Sequence, residues 1–140
     1  MKLLRALSIN QWLKNILIFI PAIFATSEWN QDLILQLTLA FFGFSLIASA
    51  VYVHNDITDR KFDAQHPEKK KRSIASGEVS ISNARILQFS LIIIGATFLS
   101  LISTKVFILG IAYLIINLLY SQVLKQIPLV DLLPIISGYF

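Results

Sequence analysis

The chain reads as an all-α, polytopic transmembrane helical bundle with four spans and the start of a fifth. Of its 140 residues, 56% are hydrophobic and only 14% charged. A typical soluble domain has about 45–50% and about 25%. So large an apolar surplus cannot be hidden in so small a body, whose surface is large for its volume. The apolar residues also come in charge-free runs: Leu33–Val53 holds 21 residues without a charge, Ile86–Thr104 holds 19 and Val106–Leu124 another 19. A helix needs about 20 apolar residues to cross a hydrocarbon core of about 30 Å. Finally, most basic residues gather at the N-terminus and in the segment 54–85. This composition excludes a disordered chain, and with no cysteine there is no disulfide framework, thiolate metal site or cysteine nucleophile.

The first span runs through Ile16–Ala25 and begins near Ile9, with Lys14 about one turn inside it. Pro21 is tolerated in a membrane helix because neighbouring helices re-satisfy the freed backbone. A cleaved signal peptide shares the basic start and the small residue at position 25. Against that reading, Asn10, Gln11, Lys14 and Asn15 interrupt the apolar run, and further spans follow. The second span, Leu33–Val53, carries Gly43, Ser45, Ala48, Ser49 and Ala50, small residues that let helices approach closely. Gly95 and Ala96 in the third span, and Gly110 and Ala112 in the fourth, do the same. The polar run Ser80–Asn83 precedes the third span, with Ser82 a good N-cap type. A fifth apolar segment begins near Ile127 and holds 14 residues up to Phe140. At about 1.5 Å per residue that is roughly 21 Å, short of a bilayer. The chain is therefore expected to be the N-terminal part of a longer protein.

The loops set the expected orientation. Lys2, Arg5 and Lys14 lie near the N-terminus, and Arg60, Lys61, Lys69, Lys70, Lys71, Arg72 and Arg85 lie between the second and third spans. The stretch 26–32 has Glu28 and Asp32 and no basic residue. Basic loops stay cytoplasmic, so the N-terminus and the 54–85 loop are expected on the cytoplasmic face of an inner or cell membrane. Two spans between them give the same answer. The loop near Lys105 then falls outside, and Lys125 returns to the cytoplasmic side.

One segment carries the chemistry: Asn55, Asp56, Asp59 and Asp63, with Asn55, Asp59 and Asp63 spaced i, i+4, i+8. If the second helix continues through them, they lie on one face and the carboxylates repel. A cation offsets that repulsion, and hard oxygen ligands suit Mg²⁺, which is held by one or two carboxylates and substrate phosphates. A lone D-x-x-x-D is more often a solvated loop. Here the acids continue directly from a 21-residue apolar span, and the basic cluster Lys69–Arg72 follows. Acid then base is the pattern of a metal–diphosphate site. The same basic run also serves as a topology signal or as an anionic-lipid contact. His54 and His66, twelve residues apart around a loop, make a poor metal pair.

The string Asn55-Asp56-Ile57-Thr58-Asp59-Arg60-Lys61-Phe62-Asp63 fits N-D-x-x-D-x-x-x-D. It resembles the first aspartate-rich motif of the UbiA superfamily of intramembrane prenyltransferases. The stretch His66-Pro67-Glu68-Lys69-Lys70-Lys71-Arg72-Ser73-Ile74-Ala75-Ser76-Gly77 is similar to the following loop in the branch containing decaprenyl-phosphate phosphoribosyltransferases, with Ser73 where proline is usual. Gln11-Trp12-Leu13-Lys14-Asn15, and Tyr120-Ser121 with Lys125 and Asp131, resemble that branch too.

The resemblance covers essentially all of 1–140 as the N-terminal part of one membrane-embedded domain, with 54–85 as its acidic and basic catalytic loop. It implies a fold of about nine helices and a second acidic motif beyond Phe140, so the fragment alone is expected to be inactive. It further implies Mg²⁺ on Asn55, Asp56, Asp59 and Asp63, phosphate oxygens on Lys69 and Arg72, and Asp59, Asp63, Lys69 and Arg72 as the catalytic set. Lys14, Tyr120 and Lys125 join Lys69 and Arg72 as substrate-binding residues. The implied substrates are a polyprenyl phosphate or diphosphate lipid with phosphoribosyl diphosphate or an aromatic acceptor, within membrane lipid. Phosphoribosyl transfer to polyprenyl phosphate is the preferred reaction and prenyl transfer to an aromatic acceptor the alternative.

A third alternative is a non-catalytic membrane fragment or transporter half. Such a protein places its polar groups near mid-span, whereas here, Asp131 apart, they sit at one membrane face. Asp131 itself, inside an apolar run, is expected to face a polar interior. Nucleic acid is discounted as a partner, because acidic residues interleave the basic ones.

Overall fold

The computed structural model describes residues 6–25 and 29–122. Among them there is no strand, and three helices are long and apolar enough to cross a membrane. A 3-10 helix, Ile9–Ile18, runs into the short α1, Phe19–Ala25. Then follow α2, Gln31–Thr58, the four-residue α3, Arg60–Asp63, a 3-10 turn at Lys69–Lys71, α4, Ile81–Ile102, and α5, Thr104–Gln122. The three expected central spans are thus α2, α4 and α5. Lys125, Asp131 and the expected fifth span lie outside the described residues.

α2 has 28 residues, about 42 Å of helix at about 1.5 Å each. That exceeds a hydrocarbon core of about 30 Å, and its last turns carry Asn55 and Asp56, with Asp59 as the C-cap. Asn30 caps the other end, its side-chain oxygen accepting from the Leu33 N–H at 2.8 Å. α4 is capped by Ser80, whose hydroxyl accepts from the Asn83 N–H at 3.2 Å. The cap is therefore Ser80 and not the expected Ser82. Ser80 has the extended backbone an N-cap needs, while Ser82 already lies inside the helix.

α2 and α4 form the centre of the bundle, and glycine sets their separation. A methyl group on Gly95 would lie 2.9 Å from the Gly43 carbonyl oxygen and 3.3 Å from the Ile47 nitrogen, both backbone atoms of α2. Leu99 fills the gap beside Gly43 and Gly110, wholly buried with Ile47, Val51 and Leu114. The small residues Gly43, Ser45, Ala48, Ser49 and Ala50 are all buried on α2, as close packing in a membrane requires.

The first span departs from expectation. It is not one α-helix, and it is not among the three helices of spanning length. Its side chains explain why. Trp12 Nε1 donates to Ser49 Oγ at 2.8 Å, and Asn15 Nδ2 donates to Ser45 Oγ at 3.0 Å. Further along, Phe19 meets Phe41, with ring centroids 5.8 Å apart. Three residues of 3-10 helix rise about 6 Å, as do four residues of α-helix. A 3-10 segment running antiparallel to α2 can therefore place Trp12 and Asn15 on successive turns against Ser49 and Ser45. In an α-helix those two residues would be about 4.5 Å apart along the axis and would miss the match. At about 2.0 Å per residue, ten 3-10 residues with seven α residues still reach about 30 Å.

Candidate functional site

The antiparallel arrangement brings the start of the 3-10 helix to the end of α2 that carries the acidic motif. There a cavity of about 430 Å³ is lined by Ser8, Gln11, Tyr52, Asn55, Asp56, Asp59, Lys69, Lys71, Arg72 and Ser73. Four of these form one helical stripe: Tyr52, Asn55, Asp56 and Asp59 follow i, i+3, i+4, i+7 along α2 and its cap. Ser8 and Gln11 share a face of the 3-10 helix, three residues apart. The third wall comes from the basic loop.

Two features fold that loop back over the cavity. Ile74 is fully buried with Ala6, Ala50, Val53, Val79, Ala84 and Leu91. The Val79 N–H donates to the Ser73 carbonyl at 2.9 Å, closing a loop in which Gly77 adopts φ 80, a conformation open to glycine at little steric cost. Upstream, His66 organises the lysine turn: its Nδ1 accepts from the Glu68 and Lys69 N–H groups at 3.2 and 3.4 Å. Core packing beyond Arg72 and a local cap before Lys69 thus fix where the cations sit.

The acidic motif is not one continuous face. α2 ends at Thr58, and Asp59 caps it with φ −85 and ψ −1, in the sparsely populated bridge region. The Asp59 N–H still donates to the Asn55 carbonyl at 2.8 Å, and the Asp59 carbonyl accepts from the Asp63 N–H at 2.9 Å. The chain therefore turns without losing its hydrogen bonds. The i, i+4, i+8 expectation is corrected here: Asn55 and Asp59 face the cavity with Asp56, whereas Asp63 does not line it. Asp63 is 3% exposed. Its Oδ2 accepts from Arg72 Nη1 at 3.0 Å, and its Oδ1 lies 4.0 Å from Lys69 Nζ. The same Arg72 Nη1 donates to Asp56 Oδ1 at 2.8 Å.

Of the other expected residues, Lys14 is exposed and does not line the cavity, although it continues the Ser8–Gln11 column of the 3-10 helix one turn on. Tyr120, 39% exposed on α5, is not brought to the cavity either. Ser8 and Tyr52 line it without having been expected as site residues; so do Gln11, Lys71 and Ser73, expected only as parts of the basic cluster or of a resemblance. The signal for Tyr52 was available, since it begins the i, i+3, i+4, i+7 stripe. His54 turns away from the cavity to α4, its Nδ1 3.3 Å from Gln88 Nε2, with both residues buried.

Among the described residues no three His, Asp or Glu side chains converge as a metal cage. Mg²⁺ does not demand one, because it keeps several waters and binds through one or two carboxylates plus substrate phosphates. The residues present fit such an ion. Asn55 Oδ1 is buried with no hydrogen-bond partner among the described residues, and Asn55 shares the cavity wall with Asp56 and Asp59. An orphaned buried acceptor costs about 1–3 kcal/mol, and a hard cation beside it would relieve that cost.

The family model described as the UbiA prenyltransferase family matches residues 15–139. The chain is 31% identical over 141 residues to a decaprenyl-phosphate phosphoribosyltransferase of Corynebacterium glutamicum, covering 98% of this chain and 42% of that protein. It is 34% identical over 128 residues to an uncharacterised protein of Sinorhizobium fredii, covering 91% of this chain and 25% of the relative. With a 4-hydroxybenzoate octaprenyltransferase of Legionella pneumophila it shares 32% over 118 residues, 83% of this chain and 42% of the relative. The chain thus spans less than half the length of these relatives.

Proposed function

The chain belongs to the UbiA prenyltransferase family and is an integral membrane protein with three candidate spans; on that premise we propose that it forms a diphosphate-binding site of a Mg²⁺-dependent intramembrane transferase. The observation that carries the reading is one cavity lined both by Asn55, Asp56 and Asp59 and by Lys69, Lys71 and Arg72. Oxygen donors and cations in one cavity are what a metal-bound diphosphate requires. The preferred reaction is transfer of phosphoribose from phosphoribosyl diphosphate to a polyprenyl phosphate. The relatives named decaprenyl-phosphate phosphoribosyltransferase favour it, matching nearly the whole chain. The neutral hydrogen-bonding groups of Ser8, Gln11, Tyr52 and Ser73 also suit a hydroxylated donor. The charge pattern favours a cytoplasmic N-terminus and 54–85 loop.

Asn55 and Asp59, with Asp56 beside them, would hold Mg²⁺. When bound, that ion neutralises charge on the departing diphosphate. Lys69, Lys71 and Arg72 meet the phosphate oxygens with fixed positive charge, which stabilises the leaving group as its bond to the anomeric carbon breaks. A polyprenyl phosphate oxygen then forms the new bond to that carbon. Lys14 and Tyr120 remain proposed substrate contacts, Lys14 as the next residue of the Ser8–Gln11 column.

A second reading, prenyl transfer to an aromatic acceptor, is favoured by the octaprenyltransferase relative. The test uses membranes expressing the gene that encodes this chain, supplied with labelled phosphoribosyl diphosphate and polyprenyl phosphate. Label is expected in the lipid with Mg²⁺ and not without it, and Asp59→Asn is expected to abolish the transfer. Label moving only from a prenyl diphosphate to an aromatic acceptor supports the second reading. Transfer in neither assay refutes both.

A further inference from the structure

We propose that Asp63 is a positioning residue: buried beneath the cationic wall, its carboxylate holds Arg72 and Lys69 at the cavity and does not itself bind the metal. The proposal rests on reading the cavity as a metal–diphosphate site. It departs from the motif, in which Asp63 stands as the third ligand of an i, i+4, i+8 set.

The geometry is specific. Asp63 is 3% exposed and does not line the cavity. A buried carboxylate needs charged or hydrogen-bonding partners, and it has one on each oxygen: Arg72 Nη1 at 3.0 Å and Lys69 Nζ at 4.0 Å. The chain winds around it to bring these partners in. The His66 N–H donates to the Asp63 carbonyl at 3.2 Å, the Lys70 N–H to the His66 carbonyl at 3.1 Å, and the Arg72 N–H to the Lys69 carbonyl at 3.0 Å. Asp63 thus stands at the hub of the turn that carries the cations.

The way Arg72 is shared gives Asp63 its effect. Nη1 carries two hydrogens and gives one to Asp63 and one to Asp56. A guanidinium has five donors, so three remain for an incoming anion. With Asp63 neutralised, Asp56 becomes the stronger attractor and draws the fork over its own carboxylate, where it takes up both the cation and an oxygen donor on the wall. Asp63 prevents that collapse by holding the second hydrogen of the same nitrogen.

Simple electrostatics predicts the reverse outcome, which makes the test decisive. Removing a negative charge next to the cations favours binding of an anion. Positioning predicts that the anion is lost. The experiment is calorimetric titration of pyrophosphate with Mg²⁺ into the protein in nanodiscs, together with Mn²⁺ binding by electron paramagnetic resonance without pyrophosphate. Asp63→Asn is expected to weaken pyrophosphate about tenfold and to leave Mn²⁺ affinity within twofold of wild type, while Asp59→Asn weakens Mn²⁺. Because Asp63 acts largely through Arg72, adding Asp63→Asn to Arg72→Gln is expected to change affinity less than threefold further. Arg72→Lys keeps the charge and loses the shared fork without touching the buried acid, and is expected to weaken pyrophosphate several-fold.

Unchanged or tighter pyrophosphate binding by Asp63→Asn, loss of Mn²⁺ as in Asp59→Asn, or fully multiplicative effects in the double variant each overturn the proposal. So does wild-type affinity in Arg72→Lys if Asp63→Asn does not fold. A wild-type protein that binds no pyrophosphate refutes the site reading itself, together with the proposal built on it.

Discussion

Ile74→Ala is expected to open the loop that holds Arg72 over the cavity. Ile74 is wholly buried in the cluster of Ala50, Val53, Val79, Ala84 and Leu91, two residues from Arg72. Truncation removes three buried carbons, about 2.4 kcal/mol at about 0.8 kcal/mol each, before any cavity penalty; measured isoleucine-to-alanine losses run about 2–5 kcal/mol. If the loss falls on docking of the 73–79 loop, the open population rises about 50-fold, since about 1.4 kcal/mol is a factor of ten. The Val79 N–H, hydrogen-bonded to the Ser73 carbonyl at 2.9 Å in the closed loop, reports the opening. Hydrogen exchange of Val79 in nanodiscs is expected to accelerate about 50-fold, with amides in the middle of α4 unchanged. Pyrophosphate affinity is expected to fall with it. Unchanged Val79 protection would refute the reasoning, because Ile74 would then be no anchor.

Gly95→Ala puts a methyl group 2.9 Å from the Gly43 carbonyl oxygen, which only a separation of α2 from α4 relieves. It is expected to cost about 1–3 kcal/mol, read as a lower melting temperature in detergent. In Gly110→Ala the near atoms belong mainly to the Leu99 side chain, so Leu99→Ala is expected to rescue Gly110→Ala in the same melt and not Gly95→Ala. Ser49→Ala removes the partner of the Trp12 indole and of the Leu7 carbonyl; a double-mutant cycle with Trp12→Phe is expected to give a coupling of about 0.6–1.5 kcal/mol. Ser80→Ala is expected to cost about 1 kcal/mol in unfolding titrations through loss of the cap, and Ser82→Ala much less.

The spans were legible because a bilayer imposes a length: charge-free runs of about 20 residues have few other uses, and α2, α4 and α5 fall on them. The basic loop was legible as a partner of the acidic motif, since Lys69 and Arg72 line the same cavity as Asn55 and Asp59. Two things were not visible. The 3-10 form of Ile9–Ile18 depends on matching Trp12 and Asn15 to Ser49 and Ser45, more than thirty residues away in the first case and thirty in the second. No local propensity encodes that register. The sequence spacing runs the acidic stripe from Asn55 to Asp63, whereas the cavity takes it from Tyr52 to Asp59. The chain turns at Asp59, and burial of Asp63 under Arg72 depends on a loop that Ile74 anchors from the core. Ser82 looked like a cap by residue type, but the helix boundary, set by backbone conformation, selects Ser80.

Calorimetric titration of pyrophosphate into the nanodisc-embedded protein, with and without Mg²⁺, tests the account most directly. Wild type is expected to bind pyrophosphate only with Mg²⁺, and Asp59→Asn is expected to lose at least tenfold in affinity, about 1.4 kcal/mol. Binding that ignores Mg²⁺, or that survives Asp59→Asn intact, would contradict a site built from the oxygen stripe of α2 and the cations of the 69–72 loop.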